Sequence, residues 1–183
     1  MLKYFAKLFF IFSLKLAYLS YKAEGLNAFF LILPAKLIVP TLQKYGAKIG
    51  QGVEMHSPLL FHNVSEIPYL HYSNLIIGSH CYFGRDVFLD LADKIIIEDN
   101  VTVSMRVTLL THTHPGKSPL LLNKLSPSYA PIILKNGCYV GASVTILQGI
   151  CIGENAIIGA GAVVTHNIPP NTTYAGVPAK LIK

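Results

Sequence analysis

From residue 140 onward, apolar residues recur at every sixth position. Val140, Ile146, Ile152, Ile158 and Val164 keep this step through VGASVT, ILQGIC, IGENAI, IGAGAV and VTHNIP. Gly141, Gly153 and Gly159 follow three of them, and Val144, Ile150, Ala156, Ala162 and Ile168 take the fourth place after each. The same phase occurs earlier at Ile49 and Met55, at Ile77, Phe83 and Leu89, and at Ile97, Val103 and Leu109. A helical face recurs near 3.6 residues and an alternating strand at 2, so neither produces this pattern. Six residues suit one short flat strand and a corner, and three such units close one coil of a triangular prism. The aliphatic residue then points inward and stacks on its counterpart in the next coil, about 4.8 Å away. Small residues let the corners turn, and glycine after the aliphatic residue relieves crowding where the backbone bends. The pattern predicts an all-β domain, a parallel β-helix of roughly six or seven coils over residues 49–168, whose ends must be covered.

Two stretches break the period. Leu109 is followed by LTHTHPGKSPLLLNKLSPSYAP before the phase resumes at Leu134. This insertion, residues 110–132, is longer than an ordinary connection and carries His112 and His114, which marks it as a candidate functional loop. A second irregular stretch, His56 to Asn74, carries His62 and His71. Upstream, residues 1–45 form an apolar, lysine-rich arm, with residues 46–183 as the β-helix domain and residues 169–183 as its tail. The arm and the tail are the natural covers for the two ends of the prism. Tyr4 to Tyr21 and Leu26 to Pro40 are apolar, but Lys7, Lys15, Lys22 and Lys36 interrupt them and Pro34 breaks the second. Neither suits a membrane span of about 20 apolar residues, and no small-residue cleavage site suits a secretory signal. Lys7, Lys15 and Lys22 fall near one side of a helix. That pattern fits an in-plane helix at an anionic membrane surface, or an arm packed on its own domain or on another subunit.

Charge narrows the classes further. The net charge is +6 and charged residues are only 13% of the chain, which excludes disorder and a charge-laced coiled coil. Residues 1–50 hold seven lysines and one acid, Glu24, so the whole excess lies there and the remainder is neutral. With no basic cluster on the folded domain, nucleic-acid binding is not expected. Cys81, Cys138 and Cys151 form no CxxC pair and no even framework, and read as reduced, buried apolar residues of a cytosolic protein.

The hexapeptide run, the histidine-bearing insertion and the ending AGAVVTHNIPPNTTYAGVPAKLIK together resemble the hexapeptide-repeat acyltransferases. The elements G-A-G-x-V-V-T and A-G-x-P-A-x-x-I are similar to a signature of the sugar, maltose or galactoside O-acetyltransferase branch. The resemblance covers residues 46–183; the first 45 residues do not match the N-terminal helices of the soluble sugar acetyltransferases. It implies a left-handed parallel β-helix, acetyl-CoA as cosubstrate, no metal, and a homotrimer whose active site lies in a groove between adjacent prisms. In such enzymes a histidine takes the proton of the acceptor as it attacks the thioester.

His112 and His114 compete for that role. A gap-free match to the T-G-H-P or T-H-P loop of galactoside and maltose acetyltransferases lands on His114. A match of residues 111–120 to the T-H-x-D-x-G-x-S-P-L loop of polysaccharide-linked relatives makes His112 the base; it is the longer match and favours His112. By resemblance Asp90 and Asp93 lie near the acceptor, where a carboxylate orients the imidazole, binds sugar hydroxyls or simply shapes a turn. Tyr82 and Arg85 are further acceptor candidates. The resemblance assigns Tyr139, Gly141, Ala142, Gly159, Ala160, Thr165 and Lys180 to the coenzyme A groove, where small residues admit the pantetheine arm and Lys180 pairs with a phosphate. His56, His62, His71, His80 and His166 are scattered. The γ-class carbonic anhydrases share the fold, but the HxH pair supplies two zinc ligands and no third stands at a similar spacing.

The expected function is therefore acetyl-CoA-dependent O-acetylation of a sugar in surface polysaccharide or glycan biosynthesis, by a cytoplasmic enzyme whose arm sits at the inner membrane face. The alternatives are acetylation of a small soluble acceptor such as a free sugar, serine or an antibiotic, and a non-catalytic structural β-helix.

Overall fold

The chain, described by a computed structural model over residues 2–118, 121 and 123–183 and with side chains from residue 8 onward, is a left-handed β-helix with N-terminal helices. Face A stacks the strands Lys48–Ile49, Leu75–Ile77, Ile95–Ile97, Ile132–Leu134 and Cys151–Ile152. Face B stacks Glu54–Met55, Tyr82–Phe83, Thr102–Val103, Tyr139–Val140, Ile157–Ile158 and Thr173–Ala175. Face C stacks Leu59–His62, Val87–Asp90, Thr108–Leu109, Thr145–Ile146 and Val163–Val164. Every contact between coils is parallel and in register with the sixfold phase. Ile77, Ile97, Leu134 and Ile152 pair up one column, Phe83, Val103, Val140 and Ile158 a second, and Leu89, Leu109, Ile146 and Val164 a third. These twelve side chains are at most 3% exposed.

The coils number five, with a partial sixth at Ile168 and Thr173–Ala175, fewer than the six or seven expected. The two aperiodic stretches occupy residues that a continuous repeat would have spent on another coil. The insertion is also not structureless at its base. His112–Thr113 pairs antiparallel with Ser128–Tyr129, making a short ribbon stem.

The corners follow a rule that the apolar pattern does not display. Three residues after the inward side chain, the backbone enters the left-handed region at Asp86, Asn100, Arg106, Ser143 and Asn155, with φ between 54° and 59°. Gly137, Gly149 and Gly161 take the same place on other coils. The glycine directly after the aliphatic residue serves another purpose. A Cβ on Gly141 would lie 2.7 Å from the Ala160 amide nitrogen and the Ile158 carbonyl oxygen, so the next coil's backbone leaves no room for one. Cys81 and Cys138 occupy the fourth place after Ile77 and Leu134 and are buried there. Burial pushes the Cys138 thiol up to about 12, as suits a small apolar filler rather than a nucleophile.

The N-terminal arm covers the first coil. Helix α1 (Leu2–Phe29) is broken at Lys22, where φ is 51° and ψ −128°. Helix α2 (Ala35–Lys44) begins directly after Pro34, whose fixed φ suits a helix start and not an interior. Phe30 meets Phe61 and Tyr72 at centroid distances of 4.9 and 5.5 Å, and Tyr18 meets Tyr45 at 4.8 Å. The Tyr72 hydroxyl donates to Asn27 Oδ1 at 2.8 Å, and the Leu59 amide to the Phe30 carbonyl at 3.0 Å. At the other end, Lys180–Leu181 folds back antiparallel on Thr173–Ala175 and buries Ala179 over the last coil.

Each column residue loses contacts on two coils at once when truncated. Ile146→Ala is expected to lower the unfolding free energy by about 2–5 kcal/mol, read from urea denaturation, whereas the outward, half-exposed Ile157→Ala should change it by only about 0.5 kcal/mol.

Candidate active site

The chemistry-bearing groups collect where faces C and A meet, at the end of the strand Val87–Asp90. Three successive coils contribute. His62 and Asp90 are register partners on the first two, and the chain leaving Leu109 supplies Thr111 and His112 on the third. Asp90 is fully buried, and a buried carboxylate must be saturated with donors. Its Oδ1 accepts the Asn63 side-chain amide at 2.8 Å and the Ala92 backbone amide at 3.4 Å. Its Oδ2 accepts the Thr111 amide at 2.9 Å, the Thr111 hydroxyl at 3.2 Å and His112 Nδ1–H at 2.5 Å. Burial alone would push this carboxyl up. The hydrogen bonds from His112 and Asn63, the neighbouring imidazole charge and the Thr111 amide outweigh it and hold Asp90 below the usual carboxylate range.

The consequence falls on His112. With Nδ1 committed to Asp90 as a donor, Nε2 carries the free lone pair. The ring stacks against Tyr129 at 6.1 Å and 16°, its register partner across the ribbon stem. His112, Asn63, Ala92, His114 and Tyr129 line an open cleft of about 530 Å³.

The two loop histidines stand in different surroundings. His114 is exposed, and its Nδ1 accepts the Gly116 amide at 2.9 Å, with no carboxylate behind it among the described residues. The last two residues of the loop match that favoured His112, Pro119 and Leu120, lie outside the described residues. Of the roles expected for Asp90, its complete burial fits orienting the imidazole and leaves it no surface towards an acceptor. It is the group that holds His112. Asp93 stands in the adjoining turn, its Oδ1 accepting the Lys94 amide at 2.6 Å and its own amide donating to Thr111 Oγ1 at 3.0 Å.

Tyr82 and Arg85 lie elsewhere. They are at the corner of faces B and C, lining a second cleft of about 450 Å³ with His56, Met105 and Ala142. The groove candidates follow the same corner line: Gly141 and Ala142 on one coil, Gly159 and Ala160 on the next. Tyr139 points outward on face B beside it, accepting the Ser104 hydroxyl at 3.2 Å. Lys180 is exposed on the strand that pairs with Ala175, and a Cβ on Gly159 would lie 2.7 Å from Ala175 Cβ. These small residues leave a shallow strip along the BC edge. Thr165 is the exception, being exposed at the CA corner of the fifth coil. The sequence-derived set is thus divided between the two edges that bound face C, one strand length of about 13 Å apart.

Asn63, Thr111 and Tyr129 were missed by sequence reasoning. Asn63 and Tyr129 lie in the aperiodic stretches, where the repeat supplies no register. The structure also brings three ligand-type groups together at the site, two imidazoles and a carboxylate. His62, Asp90 and His112 present nitrogen and oxygen atoms within 4.8 Å of one another, with His62 Nδ1 3.8 Å from Asp90 Oδ1. His114, the other half of the HxH pair, is not among them. Both Asp90 oxygens are already engaged, so a cation there would have to take the place of the His112 Nδ1 proton.

The Asp90 shift has a defined sign. Its folded pKa lies below its unfolded one, so its stabilisation is full above the ordinary carboxylate range and is lost as pH falls through the depressed value. Urea denaturation should show the native protein more stable than Asp90→Asn at pH 7, with the gap closing towards pH 2. A pH-independent gap would contradict the ionised, donor-saturated carboxylate.

Comparison with known proteins fits this architecture. A family model, Bacterial transferase hexapeptide (six repeats), matches residues 131–166. The galactoside O-acetyltransferase of Escherichia coli (strain K12) is 34% identical over 137 residues, 75% of this chain and 63% of that protein. The chain spans between about half and two thirds of the length of the curated relatives it first matches. Among solved structures, a galactoside acetyltransferase in complex with coenzyme A superposes with a TM-score of 0.72 at 27% identity, covering 93% of this chain and 82% of that one. A maltose O-acetyltransferase from Clostridium difficile 630 gives 0.73 at 25% identity, covering 96% and 87%. Repeat, fold and relatives agree: the chain carries bacterial transferase hexapeptide repeats and is similar to the galactoside and maltose O-acetyltransferases.

Proposed function

We propose that this protein transfers the acetyl group of acetyl-CoA to a hydroxyl of a sugar acceptor, with His112 as general base. The observation that carries this is the commitment of His112 Nδ1 to the buried Asp90, which fixes the tautomer and leaves Nε2 basic on a ring that lines the cleft. Nε2 takes the acceptor proton as the hydroxyl oxygen bonds to the thioester carbonyl carbon. The carbon–sulfur bond then breaks, and the proton passes from the imidazolium to the leaving sulfur. Asp90 keeps the ring oriented and stabilises its cationic form in between; it touches neither substrate. A non-catalytic structural role would give no reason to bury a carboxylate against an imidazole beside an open cleft. The names of the galactoside and maltose relatives support a sugar acceptor. The exposed apolar arm supports an acceptor held near a membrane, as in surface polysaccharide or glycan assembly.

The division of the site between two edges supports the trimer. In a threefold ring the BC edge of one prism meets the CA edge of the next, so each groove takes its thioester strip from one chain and its base from another. Tyr82 and Arg85 then face the His112 of a neighbouring copy and contact the acceptor there.

His112→Ala should reduce kcat by about 10²–10⁴-fold with little change in KM for acetyl-CoA, while His114→Ala keeps most of the activity; the reverse result would transfer the base to His114. Ala142→Trp should block the thioester strip. Equal mixtures of His112→Ala and Ala142→Trp chains, dissociated and reassembled, should recover about a quarter of native activity from mixed grooves. No recovery would place each site within a single chain.

A further inference from the structure

Helix α1 buries only one side. Leu14 and Tyr18 are 7% exposed against the prism end, while Phe9, Phe12, Leu16 and Leu19 are 56–68% exposed. At about 100° per residue, Leu8, Leu19, Phe12, Leu16 and Phe9 fill one continuous outward arc. Ile11 and Lys15 lie at the border of that arc, between it and the buried Leu14. At this border there is a cleft of about 300 Å³ between α1 and α2. Its floor is apolar, from Leu14, Leu37 and Pro40, and Lys15, Lys36 and Lys44 stand around it. Lys36 and Lys44 are two turns apart on one side of α2, with Lys15 opposite on α1. All three are exposed, and none pairs with a carboxylate among the described residues. The only acid in the first 50 residues is Glu24.

Three ammonium groups around an apolar floor, that of Lys44 lying over the Tyr45 ring at 5.3 Å, suit an anion that also carries apolar substance. We infer that the α1–α2 cleft binds the phosphate headgroup of an anionic lipid, with the outward arc of α1 lying in the plane of the bilayer surface. The chemistry of arc and cleft is continuous: apolar side chains enter the headgroup–acyl boundary while the lysines beside them meet phosphates. No described helix is long and apolar enough to cross a membrane, which suits an in-plane seat. A second copy of the chain is a poorer occupant, because pairing this face with itself sets lysines against lysines. Only part of the lysine set expected from sequence belongs to this seat. Lys15 borders it, Lys22 lies at the helix break with its ammonium over the Tyr18 ring at 5.7 Å, and the side chain of Lys7 lies outside the described residues.

The chain contains no tryptophan, so Phe12→Trp gives a unique probe. The full-length Phe12→Trp protein should show a blue-shifted emission with vesicles of phosphatidylcholine and phosphatidylglycerol, little shift with phosphatidylcholine alone, and none with inorganic phosphate or glycerol phosphate. In co-sedimentation, Lys15→Gln, Lys36→Gln and Lys44→Gln should each weaken partitioning about fivefold, and the triple variant about a hundredfold, with an unchanged circular dichroism melt. Phe12→Ser with Leu16→Ser should abolish it with the charges intact. Equal binding to neutral and anionic vesicles, or a triple variant that partitions like the native chain, would overturn the site. So would an absence of vesicle binding together with self-association that Phe12→Ser removes, which would assign the face to a second copy. None of these measurements uses acetyl-CoA or an acceptor, so their outcome is independent of the proposed reaction.

Discussion

Everything in this structure depends on the pitch of the prism. Successive coils are held at the spacing of hydrogen-bonded parallel strands, and each inward side chain must fill one layer of that height and no more. Val, Ile and Leu, with Met55, Phe61 and Phe83, satisfy it across all three faces. The same spacing brings backbone so close at the corners that Gly141 cannot carry a Cβ. Because each coil is a template for the next, the two ends carry unpaired edges and apolar surface. The arm and the tail answer that need with different materials: an aromatic cluster around Phe30, Phe61 and Tyr72 at one end, and a short antiparallel return that buries Ala179 at the other.

A regular prism has flat faces and convex edges, and neither encloses a ligand. The cleft beside His112 forms where the repeat is broken. The irregular stretch after His62 supplies Asn63, the ribbon stem supplies Tyr129, and the regular coil beneath supplies Asp90. Rigidity and chemistry are thus separated by origin. The buried carboxylate stands on a core strand inside the stack, and the partly exposed imidazole stands one coil higher, at the root of the insertion. Burying Asp90 would be costly in isolation. Five hydrogen-bond donors convert that cost into orientation, since each of them fixes the carboxylate plane against which His112 is aligned.

The sixfold phase made the faces, the inward columns and the need for end covers legible in the sequence, because one rule governs every coil. The coil count was overestimated because periodicity does not reveal how many residues an interruption consumes. Positive φ at Arg106 and Ser143 was invisible, since nothing in those residue types signals the left-handed region as glycine does. His112 could be favoured from its loop spacing, but the decisive partner could not be named as such. Asp90 reads equally well as a turn residue or a sugar ligand until its burial is known. Asn63 and Tyr129 were beyond reach for a different reason: their positions are set by tertiary contact across 49 and 17 residues of chain from His112, with no periodic frame to carry them.

The charge distribution follows from the same division. Residues 51–183 are neutral because their eight acidic and eight basic residues balance, and the inward columns leave few positions for either. The excess of lysine is confined to the arm, which makes only one-sided contact with the prism. A cover needs just one apolar side, and α1 has two. The second apolar side, edged by Lys15 and the cleft with Lys36 and Lys44, is therefore not explained by stability of the fold. It adds exposed Phe9 and Phe12 that a freely soluble cap would lack. On the seat proposed above, that surplus sets the arm against a lipid surface, while the His112–Asp90 pair lies within the stack.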